Sequence, residues 1–224
     1  MYRPHPQVGI GNIFIQLSIL QDHVPISKTI YYGFRGKYLD FKNMNIIDDD
    51  GSLEDIIPSI HLNPNLKMFY HPNILRKVEP SIVTKLYLEE YKHLIDGVDA
   101  GICIRIGNVA ENDTLFSNEN GLKSINLYIE KYKKVFVTCD KLEYKYRLKE
   151  IYGDKITFLD METVMSRSEN TIDSPAPYIE FFLLSMCPLI LTTGSRDITR
   201  LSTFSYMASV YGNKDLFVII DDIE

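Results

Sequence analysis

The chain has 224 residues, 45% of them hydrophobic and 24% charged, and these ordinary proportions exclude a disordered or membrane-embedded class of protein. Its formal net charge of −6 argues against a nucleic-acid-binding function, because phosphate neutralisation needs a clustered basic surface. The 3 cysteines show no disulfide or zinc pattern, and no apolar run approaches the roughly 20 residues of a membrane span, so we expect a cytoplasmic protein without an integral membrane segment.

The first half of the chain has an irregular pattern. Four elements are predicted there: a helix over 12–21, a strand over 28–32, a turn over 48–52 and a helix over 79–95. Pro80 suits the first turn of the last helix, where no backbone N–H is needed. These elements predict a smaller α/β domain over residues 1–97.

The second half alternates apolar runs with helical patterns. Strands are predicted over 99–106, 134–138, 155–159, 188–193 and 216–220, and helices over 120–132, 140–153, 177–186 and 200–212. Strands that are apolar throughout and alternate with helices are typical of a parallel sheet covered on both faces. We therefore predict a doubly wound, Rossmann-like domain over 98–224, with a ligand cleft at the carboxyl ends of its strands.

The stretch "GIGNIFIQ", residues 9–16, is typical of a glycine-containing turn that binds a ligand. A dinucleotide fingerprint would need a third glycine where Phe14 stands and a strand before the turn, for which the upstream chain is short. Taken alone, the stretch favours a tight turn followed by a helix that Asn12 caps.

Arg105 ends a predicted core strand in "CIRIGN", just before Gly107. A buried arginine is costly unless its charge meets a partner, and anionic ligands bind at the ends of parallel strands. The alternative is an ion pair with a structural carboxylate. We favour a ligand, because Gly107 lets one approach the backbone.

Two further strand ends carry polar side chains. Thr138 and Asp140 end the strand in "FVTCD", where Asp140 either caps the next helix or accepts hydrogen bonds from a base or ribose. The stretch "TTGSRDITRLSTFSYMAS", residues 192–209, places many hydroxyls before a helix, where backbone N–H groups bind phosphate. A serine-rich loop with a capping box is the alternative, but it accounts for only one or two of these hydroxyls.

Four motifs in order, "GIGNIFIQ", "CIRIGN", "VTCD" and "STFSYMA", with "FFLLSMC" before the last, resemble those of the fucosyltransferase superfamily. The "RIG" form is similar to protein O-fucosyltransferases, and "FFLLSMC" is similar to α1,2-fucosyltransferases. The resemblance implies a GT-B-like fold with a reduced N-terminal Rossmann-like unit, and an inverting transferase that uses GDP-fucose. It also implies a glycan or protein acceptor, no metal and no further cofactor.

Carried over by position, the resemblance implies that Arg105 binds the donor β-phosphate and stabilises the departing GDP. Asn12 would face the reacting sugar or the acceptor, and Asp140 would contact the guanine. The donor-binding candidates are Gly11, Gly107, Thr138, Asp140, Ser195, Arg196, Ser202, Thr203, Phe204 and Ser205. Ser195 and Arg196 take the phosphate role in a second register, where "GSRDITRL" matches the helix start of α1,6-fucosyltransferases, and the sequence does not choose between the two registers.

The motifs also depart from the family pattern. Cys103, Ile106, Asn108 and Cys139 replace a histidine, an arginine and two aspartates. Another nucleotide-sugar donor, or a non-catalytic nucleotide-sugar-binding protein, therefore remains open, and no general base is assigned. The aspartates at 48–50 raise a further alternative, a divalent cation held on the nucleotide sugar, although a surface turn is the simpler interpretation of that run.

Overall fold

The structure is a computed structural model that describes residues 38–41, 78–106, 119–162, 174–194 and 202–220. The strands are β1 (Leu39–Phe41), β2 (Val78–Pro80), β3 (Ala100–Ile104), β4 (Val135–Cys139), β5 (Ile156–Thr157), β6 (Ile190–Gly194) and β7 (Leu216–Ile220). The helices are α1 (Ile82–Tyr91), α2 (Glu119–Lys131), α3 (Leu142–Tyr152), α4 (Ala176–Met186) and α5 (Thr203–Gly212). Two short 3₁₀ segments, Lys92–Ile95 and Gly153–Lys155, follow α1 and α3.

The second half folds as a parallel sheet with the strand order β5-β4-β3-β6-β7. The chain starts in the middle of this sheet at β3, adds β4 and β5 on one side, and then crosses to add β6 and β7 on the other. This is the doubly wound order, in which the direction of winding reverses between β3 and β6. The predicted Rossmann-like α/β fold of the second half is thereby confirmed.

Helices cover both faces of the sheet, and each face has its own apolar core. Ile102 and Val137 lie on the face that packs against α2 and α3. Phe136 and Ile190 lie on the other face, in a cluster that includes side chains of α1, α4 and α5. All five residues of β3 are buried, and so are all five of β4, which is why both strands are almost wholly apolar in sequence.

Gly212, at the end of α5, allows a close contact between α5 and α4. A Cβ atom built there would lie 1.9 Å from the backbone oxygen of Ser185 on α4. In β3, a Cβ atom on Gly101 would lie 2.9 Å from Cys187 Sγ. These glycines let α4 pack closely against both α5 and β3.

The predicted helix over 79–95 is shorter in the structure, and Pro80 lies at the end of β2 instead of in the first helical turn. The helix begins later because Ser81 is its N-cap and accepts a hydrogen bond from Thr84 N–H at 3.3 Å. Thr84 Oγ1 in turn donates to Tyr38 O at 2.6 Å, which ties α1 to the antiparallel pair of β1 and β2.

Most of the predicted N-terminal domain, 1–97, lies outside the described residues, as do the predicted elements at 12–21, 28–32 and 48–52. The part that is described packs against the second half, since the Tyr38 ring stacks on the Tyr178 ring of α4 at 4.8 Å. The boundary at 97 and 98 stays a prediction. Within the described ranges, no helix has the length and apolar character needed to cross a bilayer.

Candidate functional site

The candidate site lies at the carboxyl ends of β3, β4 and β6. In a doubly wound sheet, the loops after the two strands at the reversal diverge to opposite faces and leave a crevice between them, where ligands bind. Here those strands are β3 and β6, which pair in parallel with Cys103 opposite Thr192. Arg105 follows β3 directly and is therefore at the mouth of this crevice.

Side chains hold the backbone on both sides of Arg105. Arg105 N–H donates to Thr193 Oγ1 of β6 at 3.2 Å, and Ile106 N–H donates to Asp140 Oδ1, just after β4, at 2.9 Å. The Arg105 side chain is half-buried, and its guanidinium has no hydrogen bond or ion pair with another described residue. A half-buried cation at this position is suited to an anionic ligand.

A layer of small polar side chains lies beneath the crevice, on the face that α4 and α5 cover. Ser205 Oγ of α5 donates to Thr192 Oγ1 of β6 at 2.8 Å, which fixes the first turn of α5 against the sheet. Thr138 of β4 is only 2% exposed, and among the described residues its hydroxyl makes no hydrogen bond of normal geometry. Burial raises the pKa of the neighbouring Cys103 thiol, although the Thr138 and Ser202 hydroxyls lower it in part.

The raised pKa keeps Cys103 a neutral thiol at neutral pH. Cys139, on the adjacent strand, is buried as well, and the pKa of its thiol is also raised by burial. A thiol with a raised pKa is neither a good nucleophile nor a good proton donor. These two residues therefore line the site without acid–base chemistry.

The N-terminus of α5 faces the same region. Ser202 is the N-cap, yet its side chain makes no capping hydrogen bond with the helix. The first N–H groups of a helix have no intrahelical acceptors and carry a partial positive charge, so anions bind there. Phe204, in this first turn, points toward α4, where its ring meets Phe181 edge to face at 5.6 Å.

A buried ion pair supports the β4 side of the site. Lys145 Nζ of α3 donates to Glu180 Oε1 of α4 at 2.7 Å and to Leu159 O at 3.1 Å. Lys145 is in the first turn of α3, which follows β4, and Leu159 follows β5, so the pair lies at the carboxyl ends of these two strands. Charged side chains are rarely buried unless each is paired with an opposite charge and forms hydrogen bonds.

The structure brings some predicted site residues together and leaves others outside its described part. Arg105, Thr138, Asp140, Ser202, Thr203, Phe204 and Ser205 lie at the strand ends or in the first turn of α5. Gly11, Asn12, Gly107, Ser195 and Arg196 lie outside the described residues, as do the aspartates at 48–50. The roles given to all of these residues stay predictions.

Sequence reasoning missed three residues of this region. Thr193 stands in the quoted "TTG" at the end of β6, but its contact with Arg105 N–H joins positions 88 residues apart. Lys145 and Glu180 each stand in a helical pattern that predicts a solvated charge, and their contact spans 35 residues. The helix-cap interpretation of Asp140 also needs correction, because Lys141 is the N-cap of α3 and Asp140 Oδ1 accepts from Ile106 N–H.

The strand order and the polar groups at the reversal between β3 and β6 define a Rossmann-type α/β unit with its crevice at Arg105. Within the described ranges, no three His, Cys, Asp or Glu side chains are grouped so as to hold a metal ion. No protein-family model matches the chain. A search of curated proteins gives no match either.

Solved structures do share the fold. NodZ α-1,6-fucosyltransferase soaked with GDP-fucose superposes with a TM-score of 0.55 and 12% identity, over 93% of this chain and 90% of that chain. The same enzyme co-crystallized with GDP superposes with a TM-score of 0.53 and 12% identity, over 92% of this chain and 89% of that chain. Fucosyltransferase NodZ from Bradyrhizobium superposes with a TM-score of 0.53 and 14% identity, over 92% of this chain and 90% of that chain. The chain therefore shares its fold with these fucosyltransferases, and the fold relationship that the motifs predicted is confirmed.

POFUT1 in complex with GDP-fucose is a weaker structural neighbour, with a TM-score of 0.39 over 68% of this chain and 49% of that chain. A likeness of this size supports no inference about the site.

Proposed function

We propose that the chain is a glycosyltransferase that moves fucose from GDP-fucose to a hydroxyl of a glycan or protein. The observation that carries the proposal is the position of Arg105, a half-buried cation directly after β3 at the reversal of the sheet. The shared fold supports it, because NodZ was co-crystallized with GDP. The order of the four sequence motifs gives independent support.

In the proposed complex, the diphosphate of the donor lies between Arg105 and the N-terminus of α5. The guanidinium supplies full positive charge, and the first-turn N–H groups of α5 supply oriented partial charge. Ser202, Thr203 and Ser205 line this end of the helix. Asp140, at the end of β4, is on the side where the guanine would lie.

The proposed reaction is a single displacement with inversion. The acceptor hydroxyl oxygen attacks the anomeric carbon of fucose while the bond from that carbon to the β-phosphate oxygen breaks. GDP departs with the electron pair, and the proton of the acceptor hydroxyl is released to solvent. Charge develops on the leaving diphosphate, so a fixed cation and oriented N–H groups stabilise the transition state more than the ground state. The reaction so described needs no metal and no cofactor other than the nucleotide sugar.

The acceptor would approach from the N-terminal unit, residues 1–97, which in a GT-B arrangement faces the Rossmann-like domain across a cleft. Asn12 is our candidate for a side chain that contacts the reacting sugar or the acceptor. Its substitution by alanine is expected to reduce turnover without weakening GDP binding.

A ligand panel tests the proposal directly. Thermal shift and calorimetry with GDP, UDP, ADP and their sugars identify the nucleotide, since a ligand that binds only the native state raises its stability. GDP and GDP-fucose are expected to bind, and GDP release in the presence of acceptors is expected to survive EDTA. Preference for another nucleotide, or activity that requires Mn²⁺, would overturn the assignment.

A non-catalytic nucleotide-sugar-binding protein is the second candidate. It is favoured by Cys103, because a buried thiol of raised pKa stands where the family motif has a histidine. Tight binding of GDP-fucose without transfer or hydrolysis, across a set of glycan and protein acceptors, would support this candidate against the enzyme.

A further inference from the structure

The backbone around Arg105 is fixed by two side chains from two different strands. Thr193 Oγ1 of β6 accepts from Arg105 N–H at 3.2 Å, and Asp140 Oδ1 accepts from Ile106 N–H at 2.9 Å. The regular ladder of β3 has ended at this point, since its last pairs are Cys103 with Thr192 and Ile104 with Cys139. Side chains therefore replace the backbone acceptors that a longer strand would have used.

The two contacts act on opposite sides of one Cα atom. Successive N–H groups of an extended chain point to opposite neighbours, and here the first points toward β6 and the second toward the end of β4. The Arg105 Cα lies between the two anchored nitrogen atoms. The origin of the Arg105 side chain is thus held from both flanking strands, while the guanidinium has no polar partner among the described residues.

We propose that Thr193 and Asp140 are positioning residues that aim the Arg105 guanidinium at the leaving diphosphate. This role rests on the proposed function, and for Asp140 it is additional to any contact with the guanine. A charge stabilises a transition state only from a fixed position, and a displacement of about 1 Å costs about 100-fold in rate. The two hydrogen bonds supply that fixed position.

Paired variants separate the hydrogen bonds from the bulk of the side chains. Thr193→Val keeps the shape of the side chain but removes the acceptor, and Thr193→Ser keeps the acceptor. Asp140→Ala removes the second acceptor. In native-state hydrogen exchange followed by NMR, Thr193→Val is expected to speed exchange of the Arg105 amide, and Asp140→Ala that of the Ile106 amide, each by about 10-fold or more.

Kinetics then test the positioning role. Thr193→Val is expected to lower kcat for fucose transfer about 10-fold to 100-fold, with the KM for GDP-fucose changed less than about twofold. Thr193→Ser is expected to recover most of the lost kcat. A residue with a merely structural role would lower the melting temperature without this split between kcat and KM.

The chain offers a matched control for each variant. Thr157 Oγ1 of β5 donates to Leu94 O at 2.7 Å, so Thr157→Val removes a comparable hydroxyl contact elsewhere in the sheet. Asp99 Oδ2 accepts from Lys133 N–H at 2.7 Å near the opposite ends of the strands. Thr157→Val and Asp99→Ala are expected to lower stability and to leave kcat unchanged.

Each outcome bears on a different claim. Unchanged exchange at both amides would overturn the two-sided anchoring, and faster exchange with an unaltered kcat would overturn the positioning role. A wild-type chain that neither binds GDP nor transfers a sugar would overturn the proposed function. It would also overturn the claim that Thr193 and Asp140 orient the Arg105 guanidinium toward a diphosphate. Slow exchange of the two amides in that same chain would show that the failure lies in the function and not in the anchoring.

Discussion

Lys145 and Glu180 form a buried ion pair between two helices that pack on opposite faces of the sheet. Their side chains are 0% and 3% exposed, and Nζ lies 2.7 Å from Oε1. Lys145 Nζ also donates to Leu159 O, just after the two-residue edge strand β5, so the two side chains meet where that strand has ended. The pair thus joins the two helical layers beside the candidate site.

We expect Lys145→Met to lower the free energy of unfolding by about 3–5 kcal/mol, because the Glu180 carboxylate then stays buried without its cation. The double variant Lys145→Met, Glu180→Leu is expected to be more stable than the single variant, since both charges are gone. Urea unfolding of the wild type, both single variants and the double variant measures this coupling. Additive losses would contradict an energetic link between the two residues.

Gly212→Ala is expected to be among the most damaging small substitutions in the described part of the chain. The new methyl group would lie 1.9 Å from Ser185 O, so the backbone of α5 must move away from α4, and we expect a loss of more than about 3 kcal/mol, above the usual range for overpacking. Gly97→Ala is the control, because Gly97 has φ +68° but no atom within 4 Å of the added Cβ, leaving only backbone strain of about 1–2 kcal/mol. Equal losses in the two variants would refute the close approach of the helices.

The stability of the protein is expected to fall as the pH rises above about 9, the region in which an unburied thiol ionises. Burial raises the pKa of the Cys187 thiol to about 12, so between these values the unfolded chain loses its proton while the folded chain keeps it. The contribution of the Cys187 thiol to the free energy of unfolding is complete below the pKa that this thiol has in the unfolded chain. It is lost as the pH rises toward the pKa of the thiol in the folded chain. Chemical unfolding at pH 7 to 11 should show a shallower decline for Cys187→Ala than for the wild type.

Arg105→Ala is expected to weaken GDP binding by about 1.5–3 kcal/mol, the range for a hydrogen bond to a charged group. The melting temperature without ligand should change little, because the guanidinium has no polar contact with a described residue. Arg105→Lys should bind with intermediate affinity, since an ammonium lacks the planar two-donor geometry that suits phosphate. Calorimetry with GDP gives the affinities, and wild-type affinity in Arg105→Ala would remove Arg105 from the site.

Much of the second half was predictable from its pattern. β4 and β7 lie within one residue of the predicted bounds, because buried parallel strands are continuous apolar runs. α3 ends at Tyr152, one residue before the predicted end, and Gly153 is its C-cap with a φ of 55° that suits a glycine. β5 is shorter than the predicted 155–159, because it is an edge strand whose pairing with β4 stops at Thr157.

The site was predictable only in outline. Arg105 stands out because a charge in an apolar stretch is unusual; it was predicted at the carboxyl end of the strand 99–106 and directly follows the shorter β3. The partners of its backbone were not predictable, since a hydroxyl and a carboxylate at strand ends have many uses and only the sheet order brings Thr193 and Asp140 to it. The burial of Lys145 was not predictable for a similar reason, because an amphipathic pattern does not show that one of its lysines is buried.

The strand order also has a kinetic consequence. The contact between Arg105 N–H and Thr193 Oγ1 closes a loop of 88 residues, and the chain between them must form two other strands of the same sheet. Long-range pairings of this kind form slowly, because the entropy of loop closure is lost before the contacts are gained. We therefore expect ligand binding to appear late in refolding, after most of the helical circular-dichroism signal has returned. Recovery of ligand binding then measures the time at which β3 and β6 pair.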